Sequence, residues 1–136
     1  MVSASALPRV AVVEDDESCR RSIARLFLAA EMEPKTYPSA EDMLADGPPD
    51  RFNCLVLDIQ LAGLSGIDLA KRLSEHDRAG RIVILTAHDE PGYREEAARA
   101  GCCAFLSKSA PAGELLAAVR KATPTDESEH GRRSSA

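Results

Sequence analysis

Apolar and polar positions fall in blocks along this chain: short apolar runs are separated by longer stretches in which apolar residues recur every three or four positions. The runs predict strands at 9–13, 34–37, 53–57, 81–85 and 102–106. Four of them are nearly unbroken, as in Val10-Ala11-Val12-Val13 and Ile82-Val83-Ile84-Leu85, the pattern of strands covered by helices on both faces. The run at 34–37 is more polar and the weakest of the set. Strands that alternate with helical stretches form βα units, so the expected fold is α/β, a five-stranded parallel sheet with helices on both faces.

The helices carry their own signals. Ile23, Leu26, Phe27 and Ala30 stand at i, i+3, i+4 and i+7, one face of a first helix. Ser39 can cap a second helix that runs through Leu44, with Asp42 as the acidic partner of a capping box and Gly47-Pro48-Pro49 as its stop. Ser65 and Gly66 lead into a third, with Ile67, Leu69, Ala70 and Leu73 on its inner face and its end near Gly80. A fourth, over 90–100, stops at Gly101 and turns Tyr93, Ala97, Ala98 and Ala100 inward. So little apolar area holds it that it is expected to be the most mobile helix. The fifth begins near Pro111 and uses Leu115, Leu116 and Val119. These elements give one domain over 9–122, preceded by an extension over 1–8 and followed by a disordered polar tail or linker over 123–136.

Composition narrows the class. A chain of 136 residues with 44% hydrophobic and 29% charged residues is an ordinary globular domain. No apolar stretch reaches the ~20 residues that span a bilayer, and 1–8 lacks the basic and apolar regions of a secretory signal. A cytoplasmic location is expected. The net charge is −5, and basic residues occur singly or in pairs such as Arg20-Arg21 and Lys71-Arg72, so direct nucleic-acid binding by this chain is not expected. Cys19, Cys54, Cys102 and Cys103 lack CxxC spacing and read as small core residues. His76, His88 and His130 read as surface residues.

The chemistry gathers at strand ends. In an open α/β sheet the functional crevice lies at the carboxyl ends of the strands, near the reversal of strand order. Glu14 and Asp15 leave the first strand, Asp58 the third, Thr86 the fourth and Lys108 the fifth. Mg²⁺ takes hard oxygen ligands: Asp15 and Asp58 can bind it directly, Glu14 through water, and the backbone carbonyl of Gln60 can add another oxygen. Asp58 can then act as a nucleophile toward phosphorus, with Lys108 and the Thr86 hydroxyl on the transferred oxygens. Simpler readings exist: the acidic run at 14–17 also suits a helix N-terminus, Lys108 a surface position and Thr86 a strand end.

Four segments, VVEDD at 12–16, LVLDIQLAGLSGIDL at 55–69, ILTAHDE at 84–90 and FLSKSAP at 105–111, together resemble the response-regulator receiver domains of two-component signalling. TYPSAEDML at 36–44 and LSGIDL at 64–69 are similar to receivers of the FixJ type. The resemblance implies the CheY-like, flavodoxin-like (βα)5 fold with strand order 2-1-3-4-5. It implies Asp58 as phosphoacceptor, Glu14 and Asp15 as the acidic pair with Mg²⁺, Thr86 and Lys108 as phosphoryl contacts, and Phe105 as an aromatic that changes rotamer with Thr86. Gln60 and His88 fall where the family tunes dephosphorylation. The implied partners are a sensor histidine kinase or phosphotransfer protein and an output partner on the face of the fourth helix, fifth strand and fifth helix; a phosphorylation-dependent dimer fits the same pattern. Such a domain is a switch and not a turnover enzyme.

Two departures stand out. Leu61-Ala62 replaces the family's Met-Pro, and Ser109 follows Lys108 where the family has a cis-proline. A cis bond before a non-proline residue costs ~2.5–4 kcal/mol, which predicts a trans bond and a differently shaped loop. Two other classes share the acidic edge. A metal-dependent aspartyl phosphohydrolase usually has a second Asp where this chain has Gln60, and a phosphate-independent pseudo-receiver has usually lost the acceptor or the acidic pair.

Overall fold

In a computed structural model, described over residues 7–61, 63–75, 81–87 and 91–123, five strands and five helices alternate. They are β1 (Arg9–Val13), α1 (Glu17–Ala29), β2 (Glu33–Tyr37), α2 (Ala40–Ala45), β3 (Cys54–Leu57), α3 (Gly66–Ser74), β4 (Ile82–Thr86), α4 (Pro91–Arg99), β5 (Ala104–Ser107) and α5 (Ala112–Ala122). A 3₁₀ turn, Pro49–Arg51, precedes β3.

All strand pairs are parallel, in the order β2-β1-β3-β4-β5. Alternate side chains go to opposite faces of a strand, which divides the apolar runs between two cores. Ala11, Val13, Leu55, Leu57, Ile82 and Ile84 pack with Met43 of α2, Leu69 and Leu73 of α3 and Ala97 of α4. Val10, Val12, Cys54, Val56, Val83 and Leu85 pack with Ile23 and Phe27 of α1 and Leu115 and Val119 of α5. Each fully buried aliphatic or aromatic side chain contributes roughly 1.5–3 kcal/mol of transfer free energy, so the unbroken runs are the main source of cohesion. β2, an edge strand, alternates exposed and half-buried residues as far as the buried Tyr37, and its polar sequence reflects that position.

Helix starts follow the capping residues. Asp16, Ser39 and Ser65 accept from the backbone N–H groups of Cys19, Asp42 and Asp68 at 2.8, 3.0 and 3.1 Å. One helix end differs from expectation, and the stop expected at Gly101 is found. The third helix closes at Ser74, with Glu75 N–H turned onto Arg72 O, well before Gly80; residues 76–80 lie outside the described set. α4 ends in a Schellman closure: Gly101 at φ +91° donates to Ala98 O and Cys102 to Ala97 O.

That closure consumes Cys102, so the fifth strand occupies 104–107 and not 102–106. The other strand limits move by one residue at most. Of the cysteines, Cys54 is buried, Cys19 and Cys102 are half-buried and Cys103 is exposed; all four are free thiols. Cys103 is therefore not a core residue. Ala98 also faces solvent; Ala97, with Ala100 just beyond the helix, makes the inner contact of α4, with Tyr93 packed at its margin. His76, His88 and His130, most of the extension over 1–8 and the tail after Thr123 lie outside the described residues.

Candidate functional site

The residues singled out from the sequence converge at one edge of the sheet. The ladder continues past the strand ends, with Glu14 N–H on Tyr37 O at 3.0 Å, Asp58 N–H on Val13 O at 3.1 Å and Lys108 N–H on Thr86 O at 2.8 Å. The functional side chains are thus borne on backbone almost as firmly held as the strands. Glu14 is 2% exposed, Asp58 5% and Thr86 0%, while Asp15 faces solvent.

Carboxylate oxygens of Glu14, Asp15 and Asp58 all lie within 4.8 Å of one another. Buried carboxylates this close need compensating charge, and Lys108 supplies it: Nζ stands 2.5 Å from Glu14 Oε1 and 2.8 Å from Asp58 Oδ2. The remaining oxygens are also engaged. Asp58 Oδ1 accepts from Gln60 N–H at 3.2 Å and Glu14 Oε2 from Asp16 N–H at 3.0 Å. Arg20 donates to the carbonyl of Glu14 at 2.8 Å.

Burial raises the Glu14 pKa, and the hydrogen bonds from Lys108 and Asp16 only partly offset it. For Lys108, burial works against the ammonium, but its hydrogen bonds to Asp58 and Glu14 prevail and raise its pKa above the ordinary lysine value. Burial, and then the charge of Glu14, push the Cys19 thiol up to about 11, which leaves it protonated and unreactive at neutral pH. The donor set of three clustered carboxylates fits a hard divalent cation such as Mg²⁺.

Gln60 joins the cluster through its N–H, while its exposed side chain donates from Nε2 to the Tyr93 hydroxyl at 3.4 Å. Phe105 lies on β5, half-buried, with the Arg94 guanidinium 4.8 Å from its ring centroid. His88 lies outside the described residues.

The Lys108–Ser109 bond is trans, as Ser109 led one to expect. The turn is closed by Ser107: its Oγ accepts from Ser109 N–H at 3.1 Å and lies 2.8 Å from Ser109 Oγ, and its carbonyl accepts from Ala110 N–H at 3.0 Å. Ser109 thus contributes a backbone donor that proline cannot offer.

Four residues that support the site do so through contacts that sequence reasoning missed. A Cβ on Gly66 would stand 1.9 Å from the carbonyl oxygen of Asp58, so only glycine lets α3 start directly beneath the acceptor loop. Glu41 of α2 accepts from Leu64 N–H at 3.0 Å and ties the far side of that loop. Tyr93 and Arg94 reach the site from α4. Gly66 and Ser65 are visible in the sequence as a helix start, but the approach to Asp58 is tertiary and leaves no local pattern.

Comparison with known proteins gives a consistent picture. The family model for the response regulator receiver domain matches residues 10–120. Nodulation protein W of Bradyrhizobium diazoefficiens is 41% identical over 117 residues, 86% of this chain and 52% of that protein. Transcriptional regulatory protein FixJ of Azorhizobium caulinodans is 31% identical over 111 residues, 82% of this chain and 53% of that protein. The chain spans about half the length of these relatives. Among solved structures, response regulator StyR superposes with a TM-score of 0.80 at 33% identity, covering 96% of this chain and 66% of that one. A CheY-like receiver protein from Methanospirillum hungatei gives 0.80 at 23% identity, covering 93% and 99%, a likeness of fold. Matched by the family model from β1 into α5, the chain belongs to the response regulator receiver domains of two-component systems, CheY-like in fold and with FixJ-type regulators among its relatives.

Proposed function

We propose that this receiver domain is a phosphorylation-operated switch whose acceptor is Asp58. The observation that carries the reading is the placement of Asp58: 5% exposed, at the mouth of a strand, beside two further carboxylates and bonded to Lys108. A carboxylate held there presents an oxygen for attack while its neighbours manage charge.

The donor is a phosphohistidine on a sensor kinase or phosphotransfer protein. An Asp58 carboxylate oxygen bonds to phosphorus as the phosphorus–nitrogen bond breaks; the donor imidazole leaves and the product is an acyl phosphate. Asp15 and Asp58 would hold Mg²⁺ directly, Glu14 through water and Gln60 through its carbonyl. Bound there, the ion neutralises charge on the transferring phosphoryl group. Lys108 moves its ammonium from the carboxylate to a phosphoryl oxygen, and the Thr86 hydroxyl donates to another. Phe105 follows Thr86, and the face of α4, β5 and α5 changes shape. Taking a two-state equilibrium from 1:99 to 99:1 needs ~5.5 kcal/mol. A charge-assisted hydrogen bond from Thr86, ~1.5–3 kcal/mol, together with the Lys108 contact supplies most of it.

The output partner binds that face. Since relatives of about twice the length are named transcriptional regulators, the output under this reading is control of transcription. The reading is tested by intact-mass analysis after incubation with acetyl phosphate and Mg²⁺. One phosphoryl adduct is expected on the natural chain, none on Asp58→Asn and none with EDTA. An adduct that survives Asp58→Asn would overturn the assignment.

A further inference from the structure

Gln60 is tied at both ends. Its backbone N–H donates to Asp58 Oδ1 at 3.2 Å, and its carboxamide donates to the Tyr93 hydroxyl at 3.4 Å, so a single residue links the acceptor carboxylate to α4. Both residues line a cleft of about 250 Å³ between α3 and α4, together with Asp68, Lys71 and Glu96. Tyr93 is half-buried against the core that includes Leu69 and Ala97, which sets its ring at the margin of that core and its hydroxyl within reach of Gln60. The Gln60 side chain is otherwise exposed.

A carboxamide two residues from Asp58 has one donor group and one acceptor, enough to bind a water molecule and aim it at a nearby phosphorus. While the donor rests on Tyr93, the group is held toward the cleft; once released, it is free to reach water at the acceptor. We propose that Tyr93 is a positioning residue: by holding the Gln60 carboxamide in the α3–α4 cleft it prolongs the lifetime of the phosphoryl group on Asp58. Hydrolysis is the step controlled. Water oxygen bonds to phosphorus, the acyl oxygen–phosphorus bond breaks, and the products are inorganic phosphate and the Asp58 carboxylate. Because Tyr93 rides on α4, a displacement of α4 also releases Gln60. The inference rests on Asp58 being the acceptor.

The test uses the whole chain loaded with acetyl phosphate and Mg²⁺, then freed of donor and followed by intact mass. Tyr93→Phe keeps the ring and removes only the hydroxyl. The expected result is an unchanged loading rate and a phosphoryl lifetime shortened about two- to fivefold, the lower part of what one neutral hydrogen bond carries. In a Gln60→Ala background, Tyr93→Phe is expected to have no effect. In the unphosphorylated protein the side-chain amide resonance of Gln60 is expected to shift in Tyr93→Phe. Normal loading with unchanged decay, or equal acceleration with and without Gln60, overturns the role of Tyr93 and leaves the acceptor reading intact. Failure of the natural chain to load overturns the acceptor reading and the lifetime role with it, while the Gln60 resonance still reports whether the contact exists.

Discussion

Gly66 and Lys108 show how single side chains, or the lack of one, set the site. For Gly66→Ala the added methyl would overlap the Asp58 carbonyl, so α3 or the acceptor loop must move. The expected loss is about 1–3 kcal/mol in urea denaturation, as for other overpacked positions, with slower phosphoryl loading by mass analysis because Asp58 itself is displaced. For Lys108→Met the ammonium that faces Glu14 and Asp58 disappears. Removing one partner of a fully buried pair costs about 3–5 kcal/mol. Lys108 is 24% exposed, and the discount for that screening brings the expected loss to about 2 kcal/mol at neutral pH. The two groups have opposite linkage. A raised lysine value means stability present in full below 10.5 and lost as pH rises through the folded value. A raised carboxyl value means that the ionised form of Glu14 opposes folding above 4.5 and that acidification relieves it. The penalty of Lys108→Met should therefore shrink as pH falls toward the Glu14 pKa, which denaturation across pH 4–8 would reveal.

The helices are unequal in how they are held. Gly66, Ile67, Leu69, Ala70 and Leu73 of α3 are buried, whereas within α4 only Ala97 is. Amide exchange is expected to be faster in α4 than in α3, and faster still in Arg94→Ala, which removes the guanidinium from the Phe105 ring. Uniformly slow exchange across α4 would contradict this account. Much of this was legible in the sequence: the alanine-rich face foretells a weak grip, and Ser39, Ser65 and Gly101 mark helix limits. Ala98 faces solvent against expectation because an alanine-rich helix has no strong stripe to fix its rotation. The sequence places the start of the fifth strand two residues early because Cys102 and Cys103 look apolar, while the closure at Gly101 makes Cys102 part of a helix end.

Across the whole molecule, the acidic cluster was legible because a parallel sheet delivers the ends of β1, β3, β4 and β5 to one side. A few strand assignments therefore brought Glu14, Asp15, Asp58, Thr86 and Lys108 together. What the sequence concealed was the frame around them, since Gly66, Glu41 and Tyr93 act through contacts between residues distant along the chain. Thr86 couples site and surface on this scale. Thr86→Ala should load phosphate nearly as the natural chain does, while the resonance changes over α4, β5 and α5 that follow phosphorylation fall to a minor fraction; full-sized changes would refute the coupling.

The two margins of the sheet differ in the same global way. β2 displays Glu33 and Lys35 with Pro34 between them, charges and a missing donor that discourage another strand from docking. β5 carries Ala104, Phe105, Leu106 and Ser107, half-buried and uncharged. Unwanted fibre growth needs a receptive margin on each side of every subunit, and among the described residues only the β5 margin is uncharged, so recruitment of a neighbouring strand at β5 ends with a pair.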